Sequence, residues 1–238
     1  MSKLISPWLE TAKGARYREA RVFYSKTGRA KYISHLDITR CMQRAIQRAG
    51  LSVWYTEGFN PHIYLTFALP LPLGYESVCE VMDLRFCGAD AEEDTETLRT
   101  RLNAALPPDL RVERVEAPQR KPEEITTARY EISISAIGAD GAHLRDCFLR
   151  FWDSGTIEVE KHTKKGVKTI DIRPEVEAVS VEAASCGLTL VLLTSAGTSK
   201  NINPTLLTEE FLRREGIADA LTQVLRTNLL CTDSVRFE

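Results

Sequence analysis

With 238 residues, 43% of them hydrophobic and 27% charged, and a formal net charge of −2, the chain has an ordinary globular composition and room for one large domain or two smaller ones. No apolar run approaches the roughly 20 residues of a membrane-spanning helix. The start, MSKLISPWLETAKGAR, lacks the apolar stretch and small-residue cleavage site of a secretory signal, so a cytoplasmic location is expected.

In chain order, ARVFYS (20–25) alternates apolar and polar residues and predicts a first strand. KTGRAKY follows as a basic loop, turned at Gly28. Ser34 then precedes HLDITRCMQRAIQRAG, whose apolar residues Ile38, Met42, Ala45, Ile46 and Ala49 recur at the helical period. Ser34 is the expected N-cap, Asp37 an acid in the first turn, and Gly50 the stop. LSVWYT reads as a strand, EGFNPH as a loop, and IYLTFALPLPLG and VCEVMDLRF as further strands. AEEDTETLRTRLNAAL is amphipathic and ends at Pro107 and Pro108, before the strand LRVERVEA.

The first half thus predicts β-α-β-β-α-β, the ferredoxin-like order. PQRKPEE (118–124) is polar, carries two prolines and reads as a linker. Beyond it come the strand ARYEISISAIG, the helix AHLRDCFLRFW, a hairpin of GTIEVEKH and VKTIDI around TKKG, the strands VEAVSVEA and GLTLVLLTS, the helix PTLLTEEFLRR and a last strand QVLRTNLLC. The order repeats with a hairpin inserted. The expected class is α+β: two ferredoxin-like units in tandem, each an antiparallel sheet with helices on one face. The expected division is a lead segment at 1–15, a first unit at 16–117, the linker at 118–124, and a second unit at 125–238.

Charge is polarised along the chain. Across residues 13–50, ten cations face only Glu19 and Asp37, whereas residues 76–116 hold eleven acids against five arginines. Arg40, Arg44 and Arg48 fall at i, i+4 and i+8 and form one ridge of the first helix, with Lys26, Arg29 and Lys31 in the loop that feeds it. Clustered cations of this kind bind a phosphodiester backbone; the competing expectation is a solvated face, partly neutralised by the acidic segment. Downstream, Tyr55, Phe59, Asn60 and His62 place rings, an amide and an imidazole in and beside one loop, as recognition of unpaired bases requires. For Tyr55 and Phe59, and more strongly for Phe67, core packing is the competing role. KHTKKGVKTIDIRP adds Lys164, Lys165 and Arg173 as a second set of phosphate contacts. SAGTSKNINP precedes a helix without P-loop spacing, which argues against ATP.

Catalysis has one candidate: His35 as general base on a ribose 2′-hydroxyl, with Tyr32 and Lys31 nearby. The plainer role is a histidine bonded locally at a helix start. His35, His62 and Asp37 contain metal-ligand types, but their spacing specifies no site. The six cysteines, Cys41, Cys79, Cys87, Cys147, Cys186 and Cys231, form no CxxC or CxxxCxxC motif, and most lie in or beside apolar stretches. They are expected to be small buried hydrophobes. No cofactor and no metal are expected.

FYSKTGRAKYISHLDITRCMQRAIQRAGL together with YTEGFNPHIYLTFALPLPLGYES closely resembles the radical-SAM-linked domain family of unknown function, and IDIRP and NINP extend the likeness toward the C-terminus. Members of that family occur beside or fused to cobalamin-binding radical SAM proteins, often encoded near an E/G-type ribonuclease. Since this chain has no CxxxCxxC triad, the resemblance implies a partner of a radical SAM enzyme. In architecture alone, the expected tandem is also similar to CRISPR repeat-processing endonucleases, although their C-terminal Gly-rich loop is missing here. The expected function is an RNA-binding accessory module in tRNA or rRNA modification. The alternatives are a metal-independent RNA endonuclease using His35 and a protein-only adaptor docking an acidic partner.

Overall fold

The computed structural model describes the chain apart from Met1, Ile5, Ala12, Lys13, Lys164, Lys165, Thr198 and Ser199, and describes the backbone alone at Lys161, His162, Thr163 and Asp233. The chain divides into two compact units, Met1–Pro122 with Glu238, and Glu123–Phe237. Both are mixed α+β, and among the described residues there are four α-helices. None is long and apolar enough to cross a membrane.

The first unit contains β1 (Leu9–Glu10), β2 (Arg16–Lys26), α1 (His35–Arg48), β3 (Leu65–Phe67), β4 (Glu76–Phe86), α2 (Thr95–Ala105) and β5 (Leu110–Glu116). β2 pairs antiparallel with β4 and β5, β4 pairs antiparallel with β3, and short β1 joins the start of β2. Leaving β1 aside, the order across the sheet is β5–β2–β4–β3: last, first, third, second. Period two along β2 sends Ala20, Val22 and Tyr24 into a core shared with Ile38, Met42 and Ile46 of α1 and Leu98 and Leu102 of α2. Both helices therefore cover one face. Burying side chains of Leu, Ile and Met size contributes about 1.5–3 kcal/mol each, so this core holds α1 in place.

The N-terminal residues belong to the same packing. Leu4 lies in the core, Ser6 Oγ donates to the Glu19 carbonyl at 2.9 Å, and the guanidiniums of Arg16 and Arg18 each lie 4.7 Å from the Trp8 ring centre. The strand expected from LSVWYT is not continuous, since Val53 and Tyr55 make only single bridges, to Phe86 and Ile63. The strand expected from IYLTFALPLPLG shrinks to the three residues of β3, because Pro70 and Pro72 have no N–H for a ladder. The basic loop coils into a 3₁₀ turn, Gly28–Tyr32.

The second unit runs β6 (Ile125–Ala136), α3 (Gly141–Trp152), β7 (Glu158–Thr163), β8 (Gly166–Asp171), β9 (Val176–Ala184), β10 (Gly187–Ser195), α4 (Thr205–Arg214) and β11 (Ala220–Cys231). Antiparallel pairing gives β11–β6–β10–β9, again last, first, third, second, with β7 and β8 as a separate ribbon. Phe148 of α3 meets Phe211 of α4 edge to face at 5.1 Å. Two glycines set how closely the backbones approach. A Cβ on Gly141 would lie 1.8 Å from the Ala184 carbonyl oxygen, and one on Gly187 would lie 2.0 Å from that of Ile134.

Candidate nucleic-acid interface

The basic helix is built as its sequence predicts. The Ser34 hydroxyl accepts the Asp37 N–H at 3.2 Å and donates to Asp37 Oδ2 at 2.7 Å, which fixes the first turn. These bonds, chiefly the one from Ser34 and then one from Arg40, hold the Asp37 carboxyl below the usual carboxylate range. Because Ile38, Met42, Ala45 and Ile46 are buried, Arg40, Arg44 and Arg48 must face solvent. The three arginines, with Asp37 and Cys41, line a shallow groove along the helix. Successive arginines of the row are about 6 Å apart along the axis. Partial burial pushes the Cys41 thiol up, and the positive field of Arg48 and Arg44 acts in the opposite direction.

The acidic segment does not neutralise this groove. Its carboxylates pair elsewhere: Asp83 with Arg21, Asp90 with Arg101, Glu92 with Arg18, Glu96 with Arg99 and Glu116 with Arg114. Among the described residues Arg40 pairs only with Asp37 on its own helix, at 3.1 Å, and Arg48 donates to the Ala105 carbonyl at 2.7 Å. Among the described residues Arg44 has no carboxylate partner. In the preceding turn, Arg29 is exposed and its Nε lies 3.9 Å from Asp109. The acids that reach this turn also bind its backbone: Glu76 accepts the Gly28 N–H and Asp109 the Arg29 N–H. The Lys31 ammonium sits over the Tyr32 ring at 5.4 Å.

Lys26 is a correction to the expected phosphate contacts. Only 3% of it is exposed, and its ammonium lies 3.5 Å from the Lys31 carbonyl. An ammonium facing inward cannot meet a phosphate. Lys26 lines a small, partly open pocket with His35, Phe67 and Glu80, about the room of one water. His35 itself is exposed, and its ring meets Phe67 edge-on at 5.0 Å. No carboxylate among the described residues bonds that ring.

EGFNPH projects as a pinned hairpin loop. Tyr55 bridges Ile63, and the Thr56 N–H donates to the His62 carbonyl at 2.8 Å. The His62 N–H returns to Thr56 Oγ1 at 3.2 Å, and His62 Nδ1 lies 3.2 Å from the Asn60 carbonyl. The same Nδ1 lies 3.1 Å from the Thr56 hydroxyl, which can donate or accept, so two contacts hold the ring in place on the loop. Gly58 takes φ +134°, open to few other residues. Phe59 is fully exposed, Asn60 and Tyr55 are exposed, and Phe67 alone of the ring set packs against the core.

The structure therefore gathers Lys31, Tyr32, Arg40, Arg44 and Arg48 along one helix and its entry turn, and displays Tyr55, Phe59, Asn60 and His62 on a separate loop of the same unit. Arg173 belongs to the second unit, where its guanidinium stacks 3.8 Å from the Trp152 ring and its N–H binds Asp171. Lys164 and Lys165 lie outside the described residues. Among the described residues, no three His, Cys, Asp or Glu side chains converge as a metal site. One cluster had no signal in the spacing: Arg85 lies 4.0–4.7 Å from the rings of Tyr17, Trp54 and Tyr64 and pairs with Glu19. These residues come from four separate segments.

A family model described as an uncharacterized protein conserved in bacteria (DUF2344) matches residues 19–204. No curated protein matches the chain. Among solved structures, the chain is similar to one described as "Crystal Structure of a Cbf5-Nop10-Gar1 Complex", with 12% identity and a TM-score of 0.44, covering 88% of this chain and 48% of that one. This chain therefore spans about half that length. It is also similar to "Crystal Structure of an Unknown Protein from Galdieria sulphuraria", with 15% identity and a TM-score of 0.26, covering 88% of this chain and 98% of that one. At these scores neither likeness bears on fold or function.

Proposed function

The chain belongs to this DUF2344 family of uncharacterized bacterial proteins, and we propose that it acts there as a non-catalytic RNA-binding module. The observation that carries the reading is the solvent-facing row Arg40–Arg44–Arg48, which the acidic segment leaves without carboxylate partners apart from the helix's own Asp37. Three cations along a rigid helix, continued by Lys31 and Arg29 in the entry turn, offer several phosphate contacts without new ordering of the chain. Phe59, Asn60 and His62, held on a pinned loop, would contact unpaired bases. The likeness of both motifs to the radical-SAM-linked family supports a finer reading: a cytoplasmic accessory protein that presents tRNA or rRNA to a radical SAM enzyme. The strand order of each unit supports reading both as ferredoxin-like, a fold that hosts many functions and so adds nothing to the assignment.

The test is binding of total cellular RNA at low and moderate salt, wild type against a variant with Lys31, Arg40 and Arg44 changed to Glu. Saturable, salt-sensitive binding that the variant loses is the expected result. Equal affinity of the two proteins removes the ridge from the reading. No binding by wild type favours an acidic protein partner instead.

A further inference from the structure

The cationic row does not begin at Arg40. Leu36 occupies the preceding i−4 position, so Leu36, Arg40, Arg44 and Arg48 form one continuous row. Leu36 is 59% exposed, and Tyr32, in the turn just before the helix, is 70% exposed. The Gly74 N–H donates to the Lys31 carbonyl at 2.8 Å and brings Leu73, 63% exposed, beside the same turn. Single exposed apolar residues are ordinary. Here a ring and two leucines are exposed at, and beside, one turn and helix start that also carry Arg29, Lys31 and Arg40. The Lys31 ammonium over the Tyr32 ring keeps that ring beside a cation while most of its surface stays open.

We propose that Tyr32 and Leu36 form a stacking platform for one unpaired nucleobase, placed directly beside the phosphates held by Arg40 and Arg44. The proposal rests on the RNA-binding reading and specifies its substrate class: RNA with a single-stranded stretch at the N-terminal end of α1. In a continuous duplex each base is covered by its neighbours and offers no face to a side chain; an unpaired base offers both. The charge around the platform suits a polyanion and repels a basic peptide. Tyr32 thereby acquires a binding role instead of the place beside a catalytic His35 that its sequence position suggested.

The experiment uses the full chain with a fluorescent single-stranded oligoadenylate and the same strand annealed to oligouridylate. Wild type is expected to prefer the single strand. Tyr32→Ala should weaken single-strand binding roughly 5- to 150-fold, the range of one lost base stack, with duplex binding and the salt slope unchanged, and Tyr32→Phe should restore it. Because Tyr32 is largely exposed, the variant folds, and matching thermal unfolding verifies this. Wild-type binding that Tyr32→Ala leaves intact, or weakens equally for both RNAs, overturns the platform and spares the RNA-binding reading. If wild type binds neither RNA, both fall.

Discussion

Arg48 and Arg101 are exchanged between the two helices of the first unit, each completing the C-terminus of the other's helix. Arg48 of α1 donates to the Ala105 carbonyl at the end of α2 at 2.7 Å. Arg101 of α2 donates to the Ala49 and Gly50 carbonyls at the end of α1, at 3.1 and 2.9 Å, and is held by Asp90. Helix C-termini leave carbonyls without intrahelical partners and carry partial negative charge, so a guanidinium there satisfies both.

The three ridge arginines are therefore not equivalent. Arg48→Ala should lower stability by about 1 kcal/mol through the lost bond to Ala105, and should also weaken RNA binding. Arg44→Ala should leave stability within about 0.5 kcal/mol of wild type, as surface substitutions usually do, while reducing the salt slope by nearly one phosphate's worth. Urea unfolding and salt-dependent binding on the same two proteins separate the effects. Equal stability losses would contradict the exchange.

Lys26→Met should behave in the opposite way. The side chain lies inside the unit, so the change alters folding stability and leaves the salt dependence of RNA binding as in wild type. A reduced slope would mean that the ammonium reaches solvent when RNA binds.

Much of this was readable from local pattern. The spacing of Ile38, Met42 and Ile46 set the buried stripe of α1 and thereby which arginines face out, and Ser34 marked its start. Lys26 misled because it follows an alternating strand directly into a basic loop; only the strands and turn packed around it decide whether its ammonium points in or out. The nest around Arg85 was invisible for a similar reason, since Tyr17, Trp54, Tyr64 and Arg85 meet through pairing between distant segments. Leu36 was legible in principle, being one i−4 step before Arg40, but a leucine at a helix start usually belongs to the core. The short β3 shows the reverse case: an apolar run reads as a long strand until its prolines are counted against the ladder.

The cysteines divide by environment. Cys79, Cys147 and Cys231 are buried as expected, Cys41 and Cys87 are half-buried, and Cys186 is exposed in the turn between β9 and β10. Burial pushes the Cys147 thiol up, with a further rise from Glu215, which disfavours the reactive thiolate. A disulfide-exchange reagent should therefore label Cys186 first in the native protein and reach Cys147 only on unfolding. Rapid native labelling of Cys147 would contradict its packing.

Gly141 and Gly187 test the second unit. Alanine at either places a Cβ within about 2 Å of a backbone carbonyl oxygen, and backbone cannot yield as a flexible side chain does. The relief must come from shifting α3 or prying β10 from β6, so each variant should lose several kcal/mol. Gly155→Ala, where a Cβ meets nothing but φ is +84°, should cost only about 1 kcal/mol. Thermal unfolding orders the three, and a Gly141→Ala protein as stable as Gly155→Ala would refute the close approach.

Asp37 is the one carboxylate among the residues lining the cationic groove, and it stands against Arg40. Asp37→Asn removes that competing charge, so RNA affinity at neutral pH should rise a few-fold and more at low salt. The pH dependence follows from the same geometry. Its folded-state carboxyl titrates below the ordinary range, chiefly through Ser34 and then Arg40; its contribution to stability is thus full above that range and disappears as pH falls through the lowered value. Ser34→Ala should accordingly be less stable than wild type at neutral pH, by about 1 kcal/mol for a lost N-cap, with the gap narrowing below roughly pH 4. Some gap persists in acid, because the Ser34 hydroxyl still accepts the Asp37 N–H when the carboxyl is protonated. Denaturation of both proteins across this range measures the gap; one that widens toward acid would mean that Asp37 is not held by Ser34.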